Sequence, residues 1–164
     1  HANAINFDEE EDAYYVGMIG ITAILKIDRS TGETLWTLGG ENSDFTFAEG
    51  TEELALHHNF DITDNLLTIF INGAETDVGG SRVVQYELDE ETMIATEVWR
   101  YVSEASPWVY ALGDTSFISD DILHVTFSTA GYVEQVENGV PTWTLTAPLG
   151  VAFGYSNFYE SMYQ

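Results

Sequence analysis

The residues in this chain that could act as bases, nucleophiles or metal ligands are few. Four histidines, His1, His57, His58 and His124, lead the list, and two of them are adjacent in Leu56-His57-His58-Asn59-Phe60. A neutral imidazole can serve as base, nucleophile or metal ligand. Cysteine is absent, and no HxH or HExxH spacing occurs, so neither thiolate chemistry nor a metal site is expected. Nothing in the sequence calls for a cofactor. The cations are Lys26, Arg29, Arg82 and Arg100. Arg82 opens the segment RVVQY, where it could hold a buried carboxylate or carbonyl, or a ligand. His124 lies within the apolar stretch ILHVTF and reads as structural.

The elements that must position these groups come next. The chain has 164 residues, 45% of them hydrophobic and 13% aromatic, enough for one domain with a real core. Its formal net charge is −24, which would repel nucleic acid and anionic membranes. The acidic runs, FDEEED (7–12) among them, lack the alternation and glycine of a calcium loop and read as a solvated surface in a salty or extracellular setting. No apolar run is long enough to span a membrane as a helix. The chain opens on strand-like residues, HANAINF, consistent with a processed or cut N-terminus.

Apolar segments rich in Val, Ile, Thr, Tyr and Phe recur, bounded by Gly, Asp, Asn and Ser, and no window sustains a helical period. Three tryptophans, Trp36, Trp99 and Trp143, each follow a turn that closes an extended segment: LKID, YELD and QVEN. Upstream lie AYYVGMI, LLTIFIN and ILHVTFS, and before them HANAINFD, HHNFDIT and YALGDTSFIS. The unit is strand, turn, strand, loop, strand, turn, Trp-bearing strand, with a period of roughly 50 residues. This predicts an all-β protein, a β-propeller of about three four-stranded antiparallel blades over 1–50, 51–107 and 108–150, with an antiparallel sandwich as the alternative. Natural propellers close with at least four blades. The chain is therefore expected to be part of a larger ring, completed by the rest of the same protein or by a second chain, with 151–164 closing it or starting another blade.

In a propeller the first strand of each blade lines the central channel. His1 and His57 open the first strands of the first two units and are expected to face one axial space. Asn3 and Asn59 follow two residues later on the same strand face, and His58 is expected to turn away into its own blade.

Several stretches resemble the arylsulfotransferase family. HANAINFDEEEDAYYVG with TAILKIDRSTGETLWTLGG is similar to its H-x-N-S-[IV] segment, the strands that follow and a W-x-L-G turn. HHNFDITDNLLTIFING is similar to its Q-H…LT-[VL]-F-D-N-G segment, SRVVQYELDEETMIATEVWRY to its S-R-[VF]-x-E-Y…VWEY segment, and FGYSNFYESMY, loosely, to its C-terminal end. The resemblance implies that this chain is the C-terminal half of a six-bladed propeller. It also implies transfer of a sulfuryl group from one phenol to another through a histidine intermediate, without a nucleotide donor or other cofactor, and an extracellular or periplasmic setting. The family's nucleophile is the histidine ten residues before LT-[VL]-F, which falls on His57. The histidine and asparagine of H-x-N-S fall on His1 and Asn3, expected to hold sulfate oxygens, and the asparagine of F-D-N-G falls on Asn72. Leu56 stands where the family has glutamine, Ile71 where it has aspartate, and Ile19 where it has an arginine. Losing that cation would raise the barrier, because positioned charge stabilises a transferring group of this kind. The competing expectation is a propeller that binds a carbohydrate, a peptide or a subunit and has lost the chemistry.

Overall fold

The structure, a computed structural model, describes residues 1–75, 80–105, 107–119 and 121–156. Thirteen strands and two single 3₁₀ turns make up its regular elements, in three sheets. The first sheet orders β1 (Ala2–Asp8), β2 (Ala13–Met18), β3 (Ala23–Asp28) and β4 (Thr34–Gly39) as an antiparallel meander. The second holds β6 (His57–Thr63), β7 (Leu66–Ile71), β8 (Arg82–Asp89) and β9 (Ile94–Tyr101) in the same order. Outside β9 it gains a two-residue strand, β5 (Thr46–Phe47), which pairs parallel to it. The third is β10 (Asp114–Ser119), β11 (Ile122–Phe127), β12 (Tyr132–Glu137) and β13 (Val140–Thr146). Trp36, Trp99 and Trp143 lie in β4, β9 and β13, the last long strand of each sheet.

The acidic turns have a local cause. Asp8 accepts the backbone N–H groups of Glu10 and Glu11 at 2.8 and 3.0 Å, closing the β1–β2 turn. Asp28 accepts the Thr31 N–H and the Ser30 hydroxyl, each at 2.7 Å, and these donors, the Ser30 hydroxyl first, hold its pKa down at about 2. Asp89 accepts the N–H groups of Glu91 and Thr92 at 2.9 and 3.0 Å. An aspartate that caps its own turn in this way fixes the hairpin without any tertiary partner. In the third unit Asn138 and Gly139, both at positive φ, make the equivalent turn.

Packing between sheets explains the burial pattern. β7 and β11 are buried along almost their whole length, because both of their faces are covered. Two cores result. Tyr15, Trp36, Phe60, Ile69 and Tyr86 join the first sheet to the second. Phe70, Val83, Leu123, Val125 and Phe127 join the second to the third. The outer faces of the end sheets are open: Ile5 is 64% exposed on β1, and Val140, Trp143 and Leu145 are exposed on β13. β6 touches β1 on one side and β10 on the other, so the first strands of the three sheets lie side by side. That is the blade arrangement of a partial propeller.

Candidate functional site

β6 carries the site, and an irregularity in it sets the geometry. His57 pairs with Ile71 and Phe60 with Ile69, so three steps on β6 oppose two on β7. One extra residue is accommodated as a bulge, which re-aims side chains. His57 and Phe60 consequently both approach Gly17 of β2: a Cβ added there would lie 3.0 Å from Phe60 Cε1 and 3.5 Å from His57 Nε2.

His57 is fully buried between the first two sheets. Its Nδ1 lies 3.2 Å from the Ala55 carbonyl oxygen. A carbonyl only accepts, so Nδ1 carries the proton and Nε2 carries the lone pair. Nε2 is buried and has no hydrogen-bond partner among the described residues. Burial, the dominant cause, lowers the imidazole pKa against the Ala55 bond, and the nearby His58 lowers it further. The ring is therefore held neutral, in the tautomer whose free nitrogen is nucleophilic.

Asn3 on β1 donates its Nδ2 to the His57 carbonyl at 2.9 Å, and Asn6 repeats the bond to the Phe60 carbonyl at 2.6 Å. Asn3 Oδ1 is left buried without a partner among the described residues, 3.1 Å from where a Gly17 Cβ would stand. Two acceptors, Asn3 Oδ1 and His57 Nε2, thus flank the one position where this strand has no side chain. Asn3 presents to that position an acceptor rather than the donor that sulfate oxygens would require. His1 is exposed, with its backbone nitrogen near Gly20. Ile19 is half-buried in the 3₁₀ turn that follows β2.

Asn72 lies elsewhere. It is buried at the end of β7, and its Nδ2 donates to the carbonyls of Val109 and Leu112 at 2.8 and 2.7 Å. Its backbone N–H and that of Gly73 donate to the Leu56 carbonyl at 2.7 and 3.2 Å. Asn72 thus ties the β9–β10 loop to the residue that precedes His57.

His58 projects to the other side of β6, toward the third sheet. It meets the Tyr155 ring at 6.2 Å, centroid to centroid, and feels the charge of Asp114. Asp114 accepts from Asn59 Nδ2 through Oδ1 and from the Ser156 backbone N–H through Oδ2, the latter at 3.2 Å. Ser156 Oγ lies 2.7 Å from His124 Nε2 and also bonds Thr126. Burial lowers the pKa of both His58 and His124, and Asp114 opposes it. This cluster was missed from the sequence, because Asp114 of β10, His124 of β11 and Ser156 of the segment after β13 converge only once the sheet is assembled.

The cations are committed to carboxylates. Lys26 bridges Glu11 and Glu90 at 2.7 Å each, tying the first sheet to the second. Arg82 is buried against Glu52 and donates to the Gly80 carbonyl at 2.9 Å. Arg29 pairs with Asp12, and Arg100 grips Glu97 through two bonds of 2.6 Å. Arg82 therefore takes the carboxylate-holding role, one of the two expected of it.

Comparison with known proteins agrees with the architecture. In fold the chain is similar to the β-propeller domain of Cps50 (Swd1) from Myceliophteria thermophila, with a TM-score of 0.56 and 11% identity over 90% of this chain. It spans 41% of that propeller's length. The computationally designed Ika8 protein is matched at a TM-score of 0.44 and 14% identity, over 84% of this chain and 46% of the other. No curated protein matches this sequence. The model of the family described as Arylsulfotransferase (ASST) matches residues 1–147, nearly the whole chain, and the chain therefore belongs to the arylsulfotransferase family.

Proposed function

We propose that the chain is the catalytic part of an aryl sulfate sulfotransferase in which His57 carries the sulfuryl group. The observation that supports this most is the His57 ring itself: neutral, its Nδ1 proton on the Ala55 carbonyl, its Nε2 lone pair buried and unpartnered. A buried polar atom without a partner is costly, and such atoms in native structures call for an explanation. An awaiting electrophile is one.

In the first half-reaction Nε2 attacks the sulfur of an aryl sulfate ester. The N–S bond forms and the S–O bond to the aryl oxygen breaks. The phenolate departs with the bonding pair and then takes a proton. The ring gains positive charge, which the Ala55 carbonyl stabilises through Nδ1–H. In the second half-reaction the hydroxyl oxygen of an acceptor phenol attacks sulfur, the O–S bond forms, the hydroxyl proton passes to solvent, and the N–S bond breaks with its pair returning to Nε2. Asn3 Oδ1 is suited to accept a hydrogen bond from that hydroxyl, and Asn3 Nδ2 holds the His57 backbone in place. Each of the four cations is bonded to a carboxylate, and Ile19 stands at the position of the family's arginine. Charge stabilisation of the transferring group would therefore come from the remainder of the ring, whether further blades of the same protein or a second chain. We place the reaction outside the cytoplasm, where salt screens repulsion between an acidic surface and an anionic ester.

A second reading, a propeller that binds a partner without chemistry, is favoured by the complete burial of His57 and by Ile19. The test separates the two. The protein with its ring complete is incubated with nitrophenyl sulfate and followed by phenol release and by peptide mass. Release, with a sulfuryl adduct on His57 that disappears in His57→Ala, is expected. Release that persists in His57→Ala excludes this mechanism. Absence of release in the wild type, with activity gained in Ile19→Arg, identifies a site that has lost its cation.

A further inference from the structure

Among the described residues, the part of the β9–β10 connection that follows Pro107 is fastened by buried hydrogen bonds and carries two exposed rings. Ser81 Oγ donates to the Asn72 carbonyl at 2.8 Å and accepts the Val109 N–H at 2.8 Å. The Ser81 N–H donates to the Pro107 carbonyl at 3.0 Å, and Asn72 Nδ2 takes the Val109 and Leu112 carbonyls. Val109, Ser81 and Asn72 are all buried. On either side of buried Val109, by the alternation of an extended chain, stand Trp108, 38% exposed, and Tyr110, 70% exposed. Their rings are 6.2 Å apart at 49°. Trp108 Nε1 donates to the Gly73 carbonyl at 3.4 Å, so the indole is anchored by its edge and its apolar body faces out. Gly73 in turn donates to the carbonyl of Leu56, itself 51% exposed and next to His57.

A large aromatic pair left in water on a loop held rigid by buried hydrogen bonds is a platform for a ligand, since burying it elsewhere would be more stable. Its ligand is set by charge as well as shape. A chain with a net charge of −24 repels the anionic end of a sulfate ester, so recognition has to come from the uncharged ring. We propose that Trp108 and Tyr110 form the binding surface for the aryl group of the donor ester or acceptor phenol. This rests on the reading of His57 as the sulfuryl carrier. It makes Trp108 and Tyr110 determinants of specificity for flat aromatic substrates over alkyl sulfates.

The test measures binding apart from turnover, with 2-naphthol and 2-naphthyl sulfate as probes and saturation-transfer NMR or calorimetry as readout. Trp108→Ala is expected to weaken naphthol binding about tenfold, as loss of an aromatic stacking partner does. Tyr110→Ala should weaken it less, Trp108→Phe should restore most of it, and Trp143→Ala, on the open face of β13, should leave it unchanged. KM should rise in parallel with kcat little altered. His57→Ala should bind naphthol as the wild type does while losing transfer. Transfer that proceeds with binding and KM unchanged in the Trp108→Ala, Tyr110→Ala double variant overturns the platform and spares the reaction. Trp108-dependent naphthol binding without any sulfuryl adduct upholds the platform and overturns the reaction. Should Trp108→Ala lower the melting temperature, Tyr110→Ala, at the more exposed position, carries the test alone. Absence of saturable naphthol binding by the wild type also overturns the proposal.

Discussion

His57 and His58 are neighbours in sequence and nearly equal in burial, yet they stand in opposite surroundings. On the His57 side, between the first two sheets, no carboxylate partners the imidazole among the described residues. There the imidazole meets a carbonyl, a glycine and an asparagine, and two acceptors remain unpartnered. On the His58 side, between the second and third sheets, Asp114 gathers Asn59, Ser156 and the fields of two imidazoles. The second arrangement is what a structural polar cluster looks like, since most of its members satisfy one another. His58 Nδ1 is itself without a partner among the described residues, but it sits in the field of a carboxylate that His57 lacks. Burial alone does not distinguish a reactive group from a structural one. Under the role proposed for His57, the pairing of its atoms does.

The comparison can be broken most forcefully on the structural side. Gly113 immediately precedes Asp114 at φ +118°, and any Cβ there would run into the Phe70 ring. Gly113→Ala is expected to destabilise the fold by about 3 kcal/mol or more, through backbone strain and overpacking together. Urea denaturation measures it, and a loss below about 1 kcal/mol would show that this side is not rigid. Asp114→Ala is expected to cost roughly 2–4 kcal/mol, because it leaves buried donors without an acceptor. Transfer at His57 should then change only a few-fold. If sulfuryl adduct formation instead falls as far as it does in His57→Ala, the two sides are one site and the distinction fails.

Gly17→Ala makes the converse cut. The added methyl would crowd Phe60, Asn3 Oδ1 and His57 Nε2. Stability should fall by about 1–2 kcal/mol. Turnover should fall roughly a hundredfold, the cost of misplacing a reacting atom by about an ångström. A variant equally destabilised but fully active would remove Gly17 from the site.

The smallest expected effects concern pH. His57, His58 and His124 all have pKa values lowered by burial in the folded state. Between their folded and unfolded values the unfolded chain binds more protons. Their contribution to stability is therefore complete above the unfolded value of about 6.5 and is lost as pH falls from there through the folded values. Protonation of the many carboxylates relieves repulsion over the lower part of that range and acts in the opposite sense. The measurable quantity is thus the difference between wild type and His58→Gln, which should shrink on acidification. If His57 carries the sulfuryl group as proposed, the rate should likewise stay flat to below pH ~6.5 before it falls. A pH–rate profile whose acid limb lies above that value would contradict a depressed imidazole.

The strands, their order and the turns between them were legible because their causes are local. Asp28 and Asp89 close their own turns, and the segments between them carry the alternation of half-buried strands. Trp36, Trp99 and Trp143 marked corresponding strands because the unit repeats. β5 was not legible: a two-residue strand has no periodicity, and it exists only because β9 offers it an edge. The candidate site was half legible. The family pattern singled out His57 and Asn3, and the repeat placed β1 beside β6. An assignment of Asn3 to sulfate and of Asn72 to substrate took no account of competing partners. In the structure the amide donors of both side chains are taken by backbone carbonyls, of His57 in one case and of Val109 and Leu112 in the other.

By itself, then, the sequence determined the class of fold, the three repeated units and which histidine opens the second of them, because hydrophobic alternation and turn chemistry act between residues close along the chain. Only the tertiary structure decided what each histidine faces. The bulge between His57 and Phe60 turns His57 toward Gly17, a residue forty positions earlier, and Asp114 arrives beside His58 from more than fifty positions later. Tautomer, pKa and the pairing of polar atoms follow from those distant neighbours, and no local pattern encodes them.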